Sequence, residues 1–271
     1  MSGYLNLPDG LVADVDGAVL RVVIDRPERR NALTDDIVLA LVDLIDTASS
    51  DDAIRVISLA GRGESFCSGF DLGGRAREPD APRPRPGSVQ RRMRWHVNRL
   101  IPAMLEAQTP IVTAARGWAI GLGLHIVLAS DFAVVADDAR LWAPFTRFGF
   151  TPDSGGSWLI PRLVGVARAK EMLMLGREVS GTRAAEWGLV HRAVPGPDVD
   201  TAAAALIDEL ASAATVAVGL TKYLVHRGVT ADLDAQLGDE GLAMELASRT
   251  EDFREYGRSR GERRDPDYRG R

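Results

Sequence analysis

Between Ala18 and Ala136 short runs of β-branched residues alternate with stretches of helical periodicity, and that alternation leaves few architectures open. Ala18 to Ile24 (AVLRVVI) reads as a strand. Arg26-Pro27 ends it, because proline removes a ladder donor. Thr34 is placed as an N-cap, with Asp35 and Asp36 in the first turn, where the helix dipole favours acids. Ile37, Leu41, Leu44, Ile45 and Ala48 then follow helical spacing. Ile54 to Leu59, Pro110 to Ala115 and Phe132 to Ala136 read as further strands, and Arg91 to Leu105 and Gly121 to Ala129 as helices. The order predicts an α/β fold built from crossover units. From Asp200 to near Gly257 the pattern is helical only, which divides the chain into an α/β core over 1–199 and a helical region over 200–271. Between Gly73 and Ser88 (GGRAREPDAPRPRPGS) apolar residues almost vanish, and a mobile surface loop is expected there. No internal repeat is evident.

Several function classes drop out early. The net charge of −5 gives no electrostatic pull towards nucleic acid, so no such partner is expected. The N-terminal MSGYLNLPDG lacks the basic-then-apolar order of a secretory signal, and no run reaches the ~18 apolar residues of a membrane span. The longest apolar region, Trp118 to Ala129, is interrupted by Gly121, Gly123 and His125 and reads as a buried helix. The single cysteine, Cys67, excludes an internal disulfide and fits a reducing cytoplasm. Scattered histidines give no metal-ligand spacing, so no metal is expected. Dinucleotide and Walker A glycine patterns are absent, and Gly155-Gly156-Ser157 is not the nucleophile turn of a serine hydrolase.

Two glycine-punctuated segments remain, each following a predicted strand. One runs from Gly61 through Phe66-Cys67-Ser68-Gly69-Phe70-Asp71-Leu72, the other from Arg116-Gly117 through Gly121-Leu122-Gly123-Leu124-His125. Glycine allows backbone approaches that a Cβ would block. The second segment also opens a helix, whose unsatisfied N–H groups attract anions. Two such turns facing one another would hold a developing oxyanion. On spacing alone, each reads equally well as a tight surface turn.

Taken together, these segments resemble the crotonase (enoyl-CoA hydratase/isomerase) superfamily over nearly the whole chain. Arg26-Pro27 to Asn31-Ala32-Leu33 resembles the family's early segment along CoA. Phe66 to Leu72 resembles its first oxyanion loop, and Gly117 to Leu124 its second. Pro152-Asp153-Ser154-Gly155-Gly156 with Leu159 to Gly165, and Ala184 to Val190, resemble its central turn and a later segment. The resemblance implies a crotonase-like spiral of ββα units with a C-terminal helical trimerisation region, forming homotrimers or hexamers built as dimers of trimers. It implies an acyl-CoA thioester as partner, its carbonyl held between the backbone N–H groups of Phe70 and Leu122. No cofactor is implied, because coenzyme A arrives with the substrate. Substrate contacts are implied for Arg30, Ala32, Ser68, Asp71, Leu72 and Gly121, with Trp142 and Phe145 as walls of an acyl pocket suited to an apolar or aromatic group.

The pattern breaks where a hydratase of this family carries two glutamates. Those positions hold His125 and Phe145. Adding water needs an acid and a base on one face, and a phenyl ring is neither. What remains is Asp153, at a position where some isomerases of the family place a working aspartate. One carboxylate suffices to move a proton between carbons of an enolate. Asp153 reads equally as an N-cap for the helix beginning near Ser154. His125, with a reference pKa of about 6.5, is a second candidate acid–base group lying one turn after Leu122, and it reads also as a partly buried histidine making one hydrogen bond. Cys67 reads as a small buried filler, and Trp118, Phe148, Phe150 and Trp158 read mostly as core. Isomerase-type proton transfer is the leading expectation. A non-catalytic acyl-CoA-binding protein and a hydratase with atypical acid–base residues stay open.

Overall fold

The computed structural model describes residues 7–71, 73 and 85–271. Leu72 and most of the arginine/proline-rich stretch lie outside the described residues, so the expectations placed on them do too.

In chain order the elements are β1 (Leu11–Asp16), β2 (Val19–Ile24), α1 (Asp35–Ser49), β3 (Val56–Gly61), α2 (Ser88–Trp95), α3 (Val97–Glu106), β4 (Ile111–Ala115), β5 (Trp118–Ile120) and α4 (Leu122–Ala129). There follow β6 (Phe132–Ala136), β7 (Arg140–Trp142), α5 (Gly156–Leu173), β8 (Val179–Ser180), α6 (Gly181–Glu186) and β9 (Arg192–Val194). Helices α7 (Val199–Ser212), α8 (Thr215–Gly228), α9 (Leu233–Ser248) and α10 (Glu251–Glu262) complete the chain.

A six-stranded sheet in the order β1-β2-β3-β4-β6-β9 forms the spine. Its β1–β2 pair is antiparallel and its other pairings are parallel. A second sheet, β5-β7-β8, runs beside it. In two successive turns the chain lays a strand on the large sheet, a strand on the small one, and then a helix. β4, β5 and α4 make one such unit, and β6, β7 and α5 the next. This is the mixed α/β spiral expected.

Local chemistry explains most elements. The Thr34 hydroxyl accepts from Ile37 N–H at 3.3 Å, and α1 buries Ile37, Val38, Leu41, Val42, Leu44, Ile45 and Ala48 on one face. Every residue of α4 is buried, so it is an internal helix walled by apolar side chains. The helix expected over Arg91 to Leu105 is two, broken at His96 (φ −125°, ψ −94°). The break falls where composition changes. The arginine-rich α2 buries nothing, whereas α3 buries Val97, Leu100, Ile101 and Met104. Helix α7 packs on the large sheet through Val199, Ala203 and Ile207, which join the main hydrophobic core. Beyond it, α8 to α10 bury few side chains of their own. Among the described residues no single helix is long and apolar enough to cross a membrane, and no His/Cys/Asp/Glu group is disposed to hold a metal.

Candidate active site

The segment from Phe66 to Asp71 runs between two partners. On one side Leu33 N–H donates to Gly69 O and Asp71 N–H to Leu33 O, both at 2.8 Å. On the other, Cys67 N–H donates to Trp118 O and Ile120 N–H to Cys67 O, both at 2.9 Å, pairing the loop with β5. Leu33 bonds to the residues on either side of Phe70, so the N–H of Phe70 faces away from Leu33. There β5 ends, as Gly121 (φ 54°, ψ −117°) turns the chain into α4. Leu122 is the first residue of that helix, so its N–H has no intrahelical acceptor. The two turns touch. A Cβ on Gly69 would stand 2.7 Å from Ile120 O and 3.6 Å from Leu122 N, so only glycine lets the first loop lie this close to the second.

Behind the loop stands a buried polar brace that sequence reasoning did not assign. Asn31, fully buried and left-handed (φ 56°), accepts from Arg26 N–H at 2.9 Å and donates to Arg62 O at 2.9 Å and Ser65 O at 2.7 Å. Arg26 reaches Ala32 O and forms an ion pair with Asp71 at 3.3 Å. Asp71 also accepts from Gly73 N–H at 3.0 Å. Its carboxylate therefore braces the loop. Arg30 is exposed, and its carbonyl accepts from Ser68 N–H at 2.9 Å, so Arg30, Ala32 and Ser68 do come together on one ledge. The placing of Arg26 and Asn31 in one quoted segment and Asp71 in another was the available signal. Cys67 is fully buried, burial pushes its thiol up to about 12, and it is a filler as read.

Phe145 opens a 3-10 turn (Phe145–Phe148) whose first ring lies against Gly121. A Cβ there would be 3.7 Å from its Cζ. Trp142 O accepts from Gly121 N–H at 2.9 Å, and its indole donates to Gly176 O at 2.8 Å. The Phe145 ring thus borders the second turn, which the Trp142 backbone joins. Phe148, Phe150 and Trp158, read from sequence as core, are exposed instead. The 3-10 turn carries Phe148 outwards to the rim, where it meets Trp142 edge-on at 6.1 Å.

His125, three residues after Leu122, is fully buried, deeper than expected, with its ring stacked on Phe145 at 5.7 Å and 15°. Neither ring nitrogen has a hydrogen-bond partner, although the main chain of Ser154 lies near enough to favour protonation slightly. Burial dominates and lowers its pKa to about 4, so the ring is neutral at ordinary pH. Against its Nε2 lies Gly156, where a Cβ would come within 2.2 Å. Gly156 begins α5, and the turn before it holds Asp153. That residue's carbonyl accepts from Gly156 N–H, and one carboxylate oxygen accepts from the Ser154 hydroxyl, both at 2.9 Å. The N-cap of α5 is Gly155, two residues after Asp153. Ser154 (φ 47°) and Gly155 (φ 86°) are both left-handed. Leu122, His125 and the Asp153 turn are therefore contiguous, through α4 and the start of α5.

A family model described as enoyl-CoA hydratase/isomerase matches residues 14–271. The chain is 33% identical over 262 residues to the 1,2-epoxyphenylacetyl-CoA isomerase of Escherichia coli (strain K12), covering 96% of this chain and 98% of that protein. It is 33% identical over 250 residues to a probable enoyl-CoA hydratase of Rhodobacter capsulatus, covering 92% and 94%. Its fold superposes on the crystal structure of an enoyl-CoA hydratase from Bacillus anthracis with a TM-score of 0.89, at 29% identity, over 97% of this chain and 100% of that one.

Proposed function

Because the chain belongs to the enoyl-CoA hydratase/isomerase family, we propose that it is an enoyl-CoA isomerase-type enzyme in which Asp153 moves the proton. The observation that carries this reading is the contact of Gly69 with Ile120 and Leu122, which sets the amides of Phe70 and Leu122 on adjoining turns. With a 3-enoyl-CoA thioester, the Asp153 carboxylate removes a proton from C2. The electron pair moves onto the carbonyl oxygen, and the two amides stabilise the resulting dienolate. The protonated carboxyl then returns its proton to C4 as the double bond settles between C2 and C3. One C–H bond breaks and one forms. No water or redox partner enters, and the only coenzyme is the CoA carried by the substrate. Phe145 supports the reading because it occupies the place of a hydratase acid with a ring that cannot hold or activate water. The apolar border of Phe145 and Trp142 suits an apolar or aromatic acyl group. The active form is proposed as a homotrimer, alone or paired into a hexamer.

The test is turnover of 3-enoyl-CoA and 2-enoyl-CoA followed by absorbance and mass. Asp153→Ala is expected to lower kcat by about 10²- to 10⁴-fold, the span of general acid–base catalysis, while acyl-CoA binding persists. A mass gain of one water on 2-enoyl-CoA makes the protein a hydratase instead. Tight binding with no turnover of either substrate makes it a binding protein.

A further inference from the structure

We propose that His125 is a positioning residue for Asp153, its neutral ring N–H donating to the carbonyl of Ser154 when acyl-CoA is bound and so fixing the left-handed turn that aims the carboxylate. The inference rests on the reading of Asp153 as the proton carrier. Its basis is a buried imidazole with neither nitrogen partnered. A polar group left unpaired in a dry interior is destabilising, so a plain filler here would be leucine or methionine. The ring is closely fitted. Phe145 covers one face, and the missing side chain of Gly156 makes room at Nε2. The main chain of Ser154 lies near the ring, while Gly156, two residues on, packs against its Nε2.

Ser154 is where such a bond would matter. It is buried, and it holds a left-handed backbone although it carries a Cβ. Such conformations persist where surrounding contacts over-determine them. Its hydroxyl donates to the Asp153 carboxylate at 2.9 Å, so a rotation at Ser154 displaces that carboxylate directly. Catalytic hydrogen bonds in ligand-free proteins are often long and tighten when the complex forms. Phe145, which borders the proposed acyl pocket and stacks on His125, offers a mechanical link from an occupied pocket to the ring.

The experiment compares wild type, Asp153→Ala, His125→Leu and His125→Gln on 3-enoyl-CoA. His125→Leu keeps the bulk and removes the donor, whereas His125→Gln restores an N–H near the place of Nε2. The expected result is a fall in kcat of about 10- to 100-fold for His125→Leu, the scale of a small misplacement of reacting groups, with KM within about twofold. His125→Gln should regain most of the loss. Wild-type kcat in His125→Leu overturns the proposal, and so does an equal loss in both His125 variants. Should His125→Leu not fold, the ring ¹⁵N and N–H signals of wild-type His125 decide. A shift to a hydrogen-bonded position on adding saturated butyryl-CoA supports the proposal, and unchanged signals overturn it. If Asp153→Ala still isomerises, the reading of Asp153 has failed. If Asp153→Ala is inactive and His125→Leu is not impaired, only the role of His125 falls.

Discussion

At the scale of single residues, His125 has a consequence for stability that can be measured without a substrate. In the unfolded chain its pKa is near the ordinary histidine value of 6.5, and in the fold burial lowers it to about 4. Between those values the unfolded state binds more protons than the folded one, so stability rises with pH across this window. The stability is fully present above 6.5 and is lost as pH falls towards 4. The full difference is about 3.5 kcal/mol, since each pKa unit is worth about 1.4 kcal/mol, and about 3 kcal/mol of it is lost by pH 4. Denaturant unfolding of wild type and His125→Leu at pH 7.5 and pH 4 should therefore show the wild type losing about 3 kcal/mol more than the variant. Parallel losses would mean that the ring reaches water before the chain unfolds. Sequence placed His125 correctly one turn beyond Leu122, but its depth was not legible. That depth depends on Gly156 and Phe145, which are remote in the chain and reach it only through packing.

Among elements, the attachment of α8 to the core is set by one buried ion pair. Lys222 donates to Met104 O at the end of α3 at 2.9 Å and to Asp131 at 2.8 Å, and the same Asp131 oxygen accepts from Ile111 N–H at 2.8 Å. One pair thus ties α8, α3, β4 and the turn before β6. Removing one partner of a buried pair strands the other charge, and Lys222→Met should lower unfolding free energy by about 3–5 kcal/mol. Adding Asp131→Asn should recover part of that loss. A change below about 1 kcal/mol in the single variant would show that water reaches Asp131. No local pattern announces Lys222 or Asp131, because the partners lie 91 residues apart in sequence. Elements with strong local signals were legible, among them α1 with its Thr34 cap and β6, whose bounds match the reading. Strand β1, where polar residues alternate at a sheet edge, was not recognised. The helix across His96 was read as one because helical periodicity continues through a change of environment that only the fold supplies. In the site the two glycine turns were legible, whereas the Arg26–Asp71 brace appeared only once the loops had paired.

At the scale of the whole molecule, the C-terminal helices leave many apolar side chains uncovered. Helix α9 buries only Ala243 among its own residues, while Leu233, Leu237, Leu242, Met244 and Leu246 are exposed, Leu233 by 71%. Val225 and Val229 on or just after α8, and Phe253 and Tyr256 on α10, extend the apolar surface. A helix apolar on several faces is stable in water when other protein covers it. The trimer proposed for the active form supplies that cover, and it is consistent with α8 to α10 contributing little to the core of their own chain. Three copies of the 29.2 kDa chain give about 88 kDa. Light scattering on the eluting protein should find that mass, or twice it where trimers pair. Placing charge on the patch with Leu237→Glu and Leu242→Glu should move the mass towards 29.2 kDa without unfolding α1 or the sheets, which bury other residues. A wild-type protein that elutes as a 29.2 kDa monomer at micromolar concentration would remove the trimer and leave these apolar faces to a different partner.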